Sequence, residues 1–119
     1  MSDDVTILHN NRCSTSRAAM ERIAEAHVQA DVVDYLREPL DAAALGALLD
    51  KLEDAPTDLV RRDAHFRELG LDEADVRTRD QVLAVLAEHP RLLQRPVVVR
   101  GDRAVIGRPK ERVAAFLAE

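Results

Sequence analysis

Residues 5–35 read VTILHNNRCSTSRAAMERIAEAHVQADVVDY, and three rhythms follow one another within them. Residues 5–9 (VTILH) are short, β-branched and closed by Asn-Asn, the pattern of a buried strand. Over 14–27 the apolar residues Ala18, Ala19, Ile23 and Ala26 recur at helical spacing, with Cys13 or Ser14 placed to cap them. Residues 30–35 (ADVVDY) return to strand. A strand, a helix and a strand within about 30 residues make a βαβ unit, whose two strands run parallel.

Outward from that unit, Glu38-Pro39 breaks the chain. Asp41 is placed to cap a helix to about residue 52, with Leu45, Leu48, Leu49 and Leu52 on one face. Residues 56–89 stay helical and polar in pattern, interrupted at Gly70 and restarted at Thr78 ahead of Val82, Leu83, Val85 and Leu86. Residues 96–99 (PVVV) read as a strand, Gly101-Asp102 as a tight turn and 104–106 as its antiparallel partner. Pro109 reads as the first turn of a last helix that buries Val113, Phe116 and Leu117. The order β-α-β, helical block, β-β-α describes an α/β, thioredoxin-like core with a helical insertion at about 41–89. No linker, repeat or low-complexity tract divides it, so residues 1–119 are expected to form one domain.

Composition narrows the function classes. Apolar residues make up 46% and charged residues 33% of the 119, as in soluble globular proteins. Only Tyr35, Phe66 and Phe116 are aromatic, so Leu, Val, Ile and Ala must build the core. No run reaches the ~18 apolar residues of a membrane span, and the acidic start MSDD has no signal-peptide character. A net charge of -5 argues against nucleic acid as a partner. One cysteine excludes an internal disulfide and suits a reducing compartment, so a cytoplasmic location is expected. His27, His65 and His89 stand apart from any cysteine or carboxylate cluster, which gives no metal signature. The acidic run 72–75 reads as a solvated face.

Cys13 lies at the junction of strand and helix in HNNRCSTSR (9–17). A thiolate, not a thiol, is the nucleophile. Free N–H groups at the start of the following helix, with its dipole, favour a negative sulfur. Arg12 and Arg17 are expected to add positive charge, and His9 stands at the strand end. Such settings bring a cysteine from ~8.5 into the range ~3.5–7.5. The same N–H groups, with Asn10, Ser14, Thr15, Ser16 and Arg17 around them, form a supporting anion loop. The polar neighbours fit poorly with Cys13 as a buried hydrophobe. A low-molecular-weight phosphatase loop needs Arg six positions after the cysteine, where Ala19 stands. A dithiol site needs a second cysteine where Ser16 stands, so an outside thiol must clear any covalent intermediate.

Four motifs in order, HNNRCSTSR, LVRRD (59–63), RPVVV (95–99) and IGRPKE (106–111), resemble the glutaredoxin-coupled arsenate reductase family over essentially the whole chain. The resemblance implies a thioredoxin-like fold with a helical insertion. It implies that Cys13 attacks arsenate, that glutathione adds as co-substrate, and that glutaredoxin reduces the adduct so arsenite leaves; no cofactor is tightly bound. Arg61, Arg95 and Arg108 match the arginines that hold the oxyanion, and His9 the histidine that supports the thiolate. Pro96 matches the cis-proline that faces the nucleophile. The family usually has proline two positions before the cysteine, where this chain has Asn11. From the residues alone, either Arg61 or its neighbour Arg62 could equally be a solvated helix residue. Two other readings share the fold: a monothiol glutaredoxin-like reductase acting on glutathione adducts, and a Spx-like regulator that binds RNA polymerase.

Overall fold

The computed structural model describes residues 5–118; residues 1–4 and residue 119 lie outside the described residues. Strand β1 (Val5–His9), helix α1 (Ser14–Glu25) and strand β2 (Ala30–Asp34) come first. Helices α2 (Ala42–Lys51), α3 (Ala64–Glu68) and α4 (Arg79–Glu88) follow, then β3 (Val97–Arg100), β4 (Arg103–Ile106) and α5 (Glu111–Ala118). The strands lie in the order β2-β1-β3-β4. β1 pairs parallel with β2 and antiparallel with β3, and β3 pairs antiparallel with β4. This is the thioredoxin-like α/β order, with α2, α3 and α4 between the two halves.

Alternation along the strands gives the sheet two apolar faces. Val5, Ile7, Val98 and Val105 pack with Ala19, Ile23, Val113 and Phe116 of α1 and α5. Leu8, Val97, Ala104 and Ile106 face Leu45, Leu48, Leu49, Val82 and Leu86 of α2 and α4. Arg100 on β3 donates to the carbonyls of Phe116 and Leu117, 3.1 Å each, and so caps the end of α5.

Residues 56–89 form less continuous helix than their pattern suggests. Short 3₁₀ turns at Pro56–Leu59, Glu73–Val76 and Pro90–Leu92 precede, separate and follow α3 and α4. The polar residues of this block serve as caps: Asp63, Asp72 and Thr78 each accept from a backbone N–H at the start of a turn or helix. The run 72–75 is therefore not a merely solvated face, because Asp72 and Asp75 close a reciprocal capping box.

Two further differences concern boundaries. α1 ends at Glu25, and His27 adopts φ 56 just beyond it, the left-handed position where glycine is usual. Pro109 does not open the last helix; it stands two residues before Glu111, after a cis Arg108–Pro109 bond.

The insertion is tied to the sheet by backbone and carboxylate. After α2, Leu52 bridges Ala104 beside β4, and the Glu53 N–H donates to the Ala104 carbonyl at 2.8 Å. Asp54 accepts from the Ile106 N–H at 2.9 Å and from Arg112 at 2.7 Å. These contacts hold the 106–112 segment, and Arg108 with it.

Candidate active site

Cys13 is the N-cap residue of α1, with extended backbone and a partly buried side chain. Its N–H donates to the Asn10 carbonyl at 3.0 Å, which folds the loop and turns the sulfur toward the helix start. Partial burial alone would push the thiol's pKa up. The backbone N–H of Ser16, the guanidinium of Arg95, the charge of Arg108 and the N–H of Thr15 outweigh it, and the pKa lies below the ordinary cysteine value. Arg108 Nη2 lies 3.1 Å from Sγ.

The arginines are delivered by paired backbone segments. Val60 bridges Leu93 in antiparallel fashion, the Arg61 N–H donates to the Leu92 carbonyl at 2.8 Å, and the Gln94 N–H to the Leu59 carbonyl at 2.7 Å. Arg61 thereby lies alongside the segment that carries Arg95. The Arg95–Pro96 bond is cis, and the Pro96 carbonyl accepts from the Gly107 N–H at 2.8 Å. Arg108 Nε donates to the Arg95 carbonyl at 2.6 Å. Gly107 is required by packing: a Cβ there would sit 2.8 Å from Pro96 Cγ and 2.9 Å from Val113 Cγ2.

Burial, then the charges of Arg95 and Arg108, push Arg61 below the ordinary arginine value, while Asp63 and Cys13 oppose the shift. Arg61 is thus close enough to feel the positive charges of both Arg95 and Arg108. Arg95 Nε is buried with no hydrogen-bond partner among the described residues. Such a convergence is unfavourable by itself and becomes favourable around an anion.

Geometry also separates Arg61 from Arg62. Arg62 turns away, donates from Nε and Nη2 to Glu73 at 3.0 Å each, and also bonds Thr57. It ties the insertion together, whereas Arg61 lies within reach of the charges of Arg95, Arg108 and Cys13.

The loop residues divide their work. Ser16 is fully buried and its Oγ accepts from the Asn10 N–H at 3.0 Å, so its hydroxyl is engaged and its N–H serves the sulfur. His9 Nδ1 lies 2.7 Å from that hydroxyl and Nε2 lies 2.6 Å from Asn11 Oδ1. His9 therefore meets Cys13 through Ser16. Asn10 braces the turn, accepting from the Arg12 N–H at 2.9 Å and donating to the buried Tyr35 hydroxyl at 3.4 Å. Ser14 is exposed, and Thr15 contributes its N–H.

Neither neighbouring arginine has the part expected of it. Arg17 donates to the Asn11 carbonyl at 2.7 Å and holds the loop, and Arg12 lines an adjacent cavity. The charge at the sulfur comes from Arg95 and Arg108, 82 and 95 residues further along the chain. No group of three or more His, Cys, Asp or Glu that could hold a metal ion occurs among the described residues.

The sequence profile of the ArsC family matches residues 8–116. This chain belongs to the ArsC family. It is 40% identical over 116 residues to the arsenate reductase of Neisseria meningitidis serogroup A, covering 96% of this chain and 98% of that one. It is 33% identical over 117 residues to the arsenate reductase of Acidiphilium multivorum, covering 98% and 82%. The solved arsenate reductase of Vibrio cholerae superposes with a TM-score of 0.85 at 30% identity, covering 97% and 98%. The ArsC match spans every segment that delivers a residue to the sulfur, from His9 to Arg108.

Proposed function

We propose that this chain reduces arsenate to arsenite with Cys13 as nucleophile and glutathione and glutaredoxin as outside reductants. One observation carries the reading: a sulfur with a depressed pKa, 3.1 Å from Arg108 and beside Arg95, in a chain whose ArsC relatives include arsenate reductases.

Arsenate near neutral pH is a tetrahedral anion, and a thiolate approaching it meets charge repulsion. Arg61, Arg95 and Arg108 offset that repulsion and stabilise negative charge that shifts onto the oxygens as sulfur attacks. The Cys13 thiolate displaces one arsenic oxygen, which leaves protonated as water, and a Cys13–S–As(V) bond forms. Glutathione displaces a second oxygen in the same way and adds its own S–As bond.

Glutaredoxin thiolate then attacks the glutathione sulfur. The S–As bonding pair stays on arsenic, taking it from As(V) to As(III), and glutaredoxin leaves as the mixed disulfide. Hydroxide finally replaces Cys13 on arsenic, releasing arsenite and the resting thiolate. The chain has no resolving cysteine within reach, since Cys13 is its only one, and this is what assigns the disulfide chemistry to outside thiols. The cytosol, where such thiols are kept reduced, is the compartment the chemistry needs.

The test is NADPH oxidation coupled through glutathione reductase. Wild-type protein is expected to support arsenate-dependent oxidation only with glutathione and glutaredoxin both present, and Cys13→Ser to support none. Full activity in Cys13→Ser would exclude the mechanism. Turnover of glutathione mixed disulfides with none of arsenate would replace it by the glutathione-adduct reductase reading.

A further inference from the structure

Beside the sulfur lies a cavity of about 170 Å³ lined by Asn10, Arg12, Leu36, Asp63, Arg91 and Arg95. Arg95 joins the two places: it borders the cavity, and its guanidinium is near enough to Cys13 to favour the thiolate. The lining is chemically mixed in a way an oxyanion site is not. Arg12 and Arg91 are exposed and their guanidiniums have no partner among the described residues. Arg95 Nε is buried and unpartnered among them as well.

Against these cations stands one carboxylate. Asp63 uses Oδ1 to cap α3, while Oδ2 keeps only a loose 3.9 Å contact with Arg61. Leu36, 43% exposed, supplies an apolar wall. A carboxylate on the wall repels a simple oxyanion but accepts an ammonium. Guanidiniums on the other walls accept a carboxylate, in bidentate fashion. The ligand chemistry written here is an α-amino acid end, carboxylate and ammonium on one carbon, followed by methylenes.

We propose that this cavity binds the γ-glutamyl end of glutathione and so points its thiol past Arg95 at the arsenic on Cys13. The inference rests on the glutathione-dependent reading above and adds the subsite that selects the thiol. The γ-glutamyl residue is the end of the tripeptide with both charged groups on one carbon, and its two methylenes lie along Leu36. The glycyl end offers a carboxylate alone and leaves Asp63 opposed by nothing but negative charge.

The test measures binding by calorimetry to the whole wild-type chain, without arsenate, using ligands whose sulfur is methylated and cannot react. S-methylglutathione and S-methyl-γ-glutamylcysteine are expected to bind alike, and S-methylcysteinylglycine about tenfold more weakly or worse. Arg91→Ala, on an exposed turn, is expected to weaken the first two about tenfold and narrow the gap to the third; Arg12→Ala is a second variant with the same expected direction. Equal binding of all three ligands, or an S-methylglutathione Kd unchanged in both variants, would overturn the proposal. Because arsenate is absent, the two readings fail separately. This binding pattern with a dead coupled assay upholds the subsite and removes the reductase reading; a working coupled assay with no discrimination removes the subsite alone.

Discussion

At Cys13, burial raises the thiol's pKa and four neighbours lower it, and the neighbours win. Alkylation by iodoacetamide as a function of pH should therefore show a midpoint below that of an ordinary thiol, ~8.5. Removing a cation that favours the thiolate must move it upward, so Arg108→Ala is expected to shift the midpoint toward the ordinary value; a midpoint unchanged in that variant would refute the electrostatic account. The same depression is linked to stability. A group whose pKa is lower folded than unfolded contributes stability above the unfolded value and loses it as pH falls through the folded one. Wild type should gain stability over Cys13→Ser as pH rises between those two values, which denaturant melts at several pH values will check. Two residues before Cys13, Asn11 stands where the family usually has proline, and its Oδ1 accepts from His9 Nε2. In a neutral ring, a proton held on Nε2 leaves Nδ1 to accept from the Ser16 hydroxyl. Nitrogen NMR should find His9 as the Nε2–H tautomer in wild type and as a mixture in Asn11→Ala.

At the scale of elements, the site depends on short segments that are locked together more by backbone bonds than by side-chain contact. Gly107 is the tightest point. An added methyl meets Pro96 and Val113 inside 3 Å, so Gly107→Ala should cost about 1–3 kcal/mol and displace Arg108, read as a lower Tm together with slower arsenate reduction. Asp54 reaches the same segment from the insertion. In Asp54→Ala the partly buried Ile106 N–H loses its acceptor and Arg112 its ion-pair partner, a loss of about 1–3 kcal/mol in chemical denaturation. Much of this layer was legible in the chain and some was not. The βαβ unit declared itself because hydrophobic period switches from two to helical and back within residues 5–35. Asp41 was readable as a cap, and Thr78 as the restart of the helical pattern, because each precedes a periodic apolar run. Asp54 gave no signal, since its partners lie 52 and 58 residues away. Pro109 misled, because proline near a helix start favours the first turn, yet the hydrogen bond from Arg108 to Arg95 and the close packing of Gly107 hold the chain in a different path until Glu111.

Over the whole molecule, the sheet brings together residues that the chain keeps far apart. β1 delivers the cysteine loop, β3 begins next to it in antiparallel register with Arg95 and Pro96 just before, and β4 ends beside them with Gly107 and Arg108. Arg61 arrives from the insertion by the Val60–Leu93 bridge. Motif order foretold this meeting and the resemblance pointed to Arg61; three-dimensional pairing gives the physical reason it differs from Arg62, because adjacent residues on an extended segment point to opposite sides. The part of Arg91 could not be read beforehand: an isolated arginine in a 3₁₀ turn has no local pattern, and its meaning comes from Asp63 and Leu36 across the cavity. Each of the three convergent arginines should matter alike for an anion at the sulfur. Replacing any one by Ala is expected to cost about 2.7–4 kcal/mol in transition-state stabilisation, a drop of roughly 10²–10³ in kcat. The most direct test of the convergence is the rate at which iodoacetamide alkylates Cys13 with and without arsenate, glutathione being absent. An anion held by Arg61, Arg95 and Arg108 should slow alkylation of the wild type as its concentration rises, and the protection should fade in Arg61→Ala and Arg95→Ala. Alkylation indifferent to arsenate in the wild type would contradict the account.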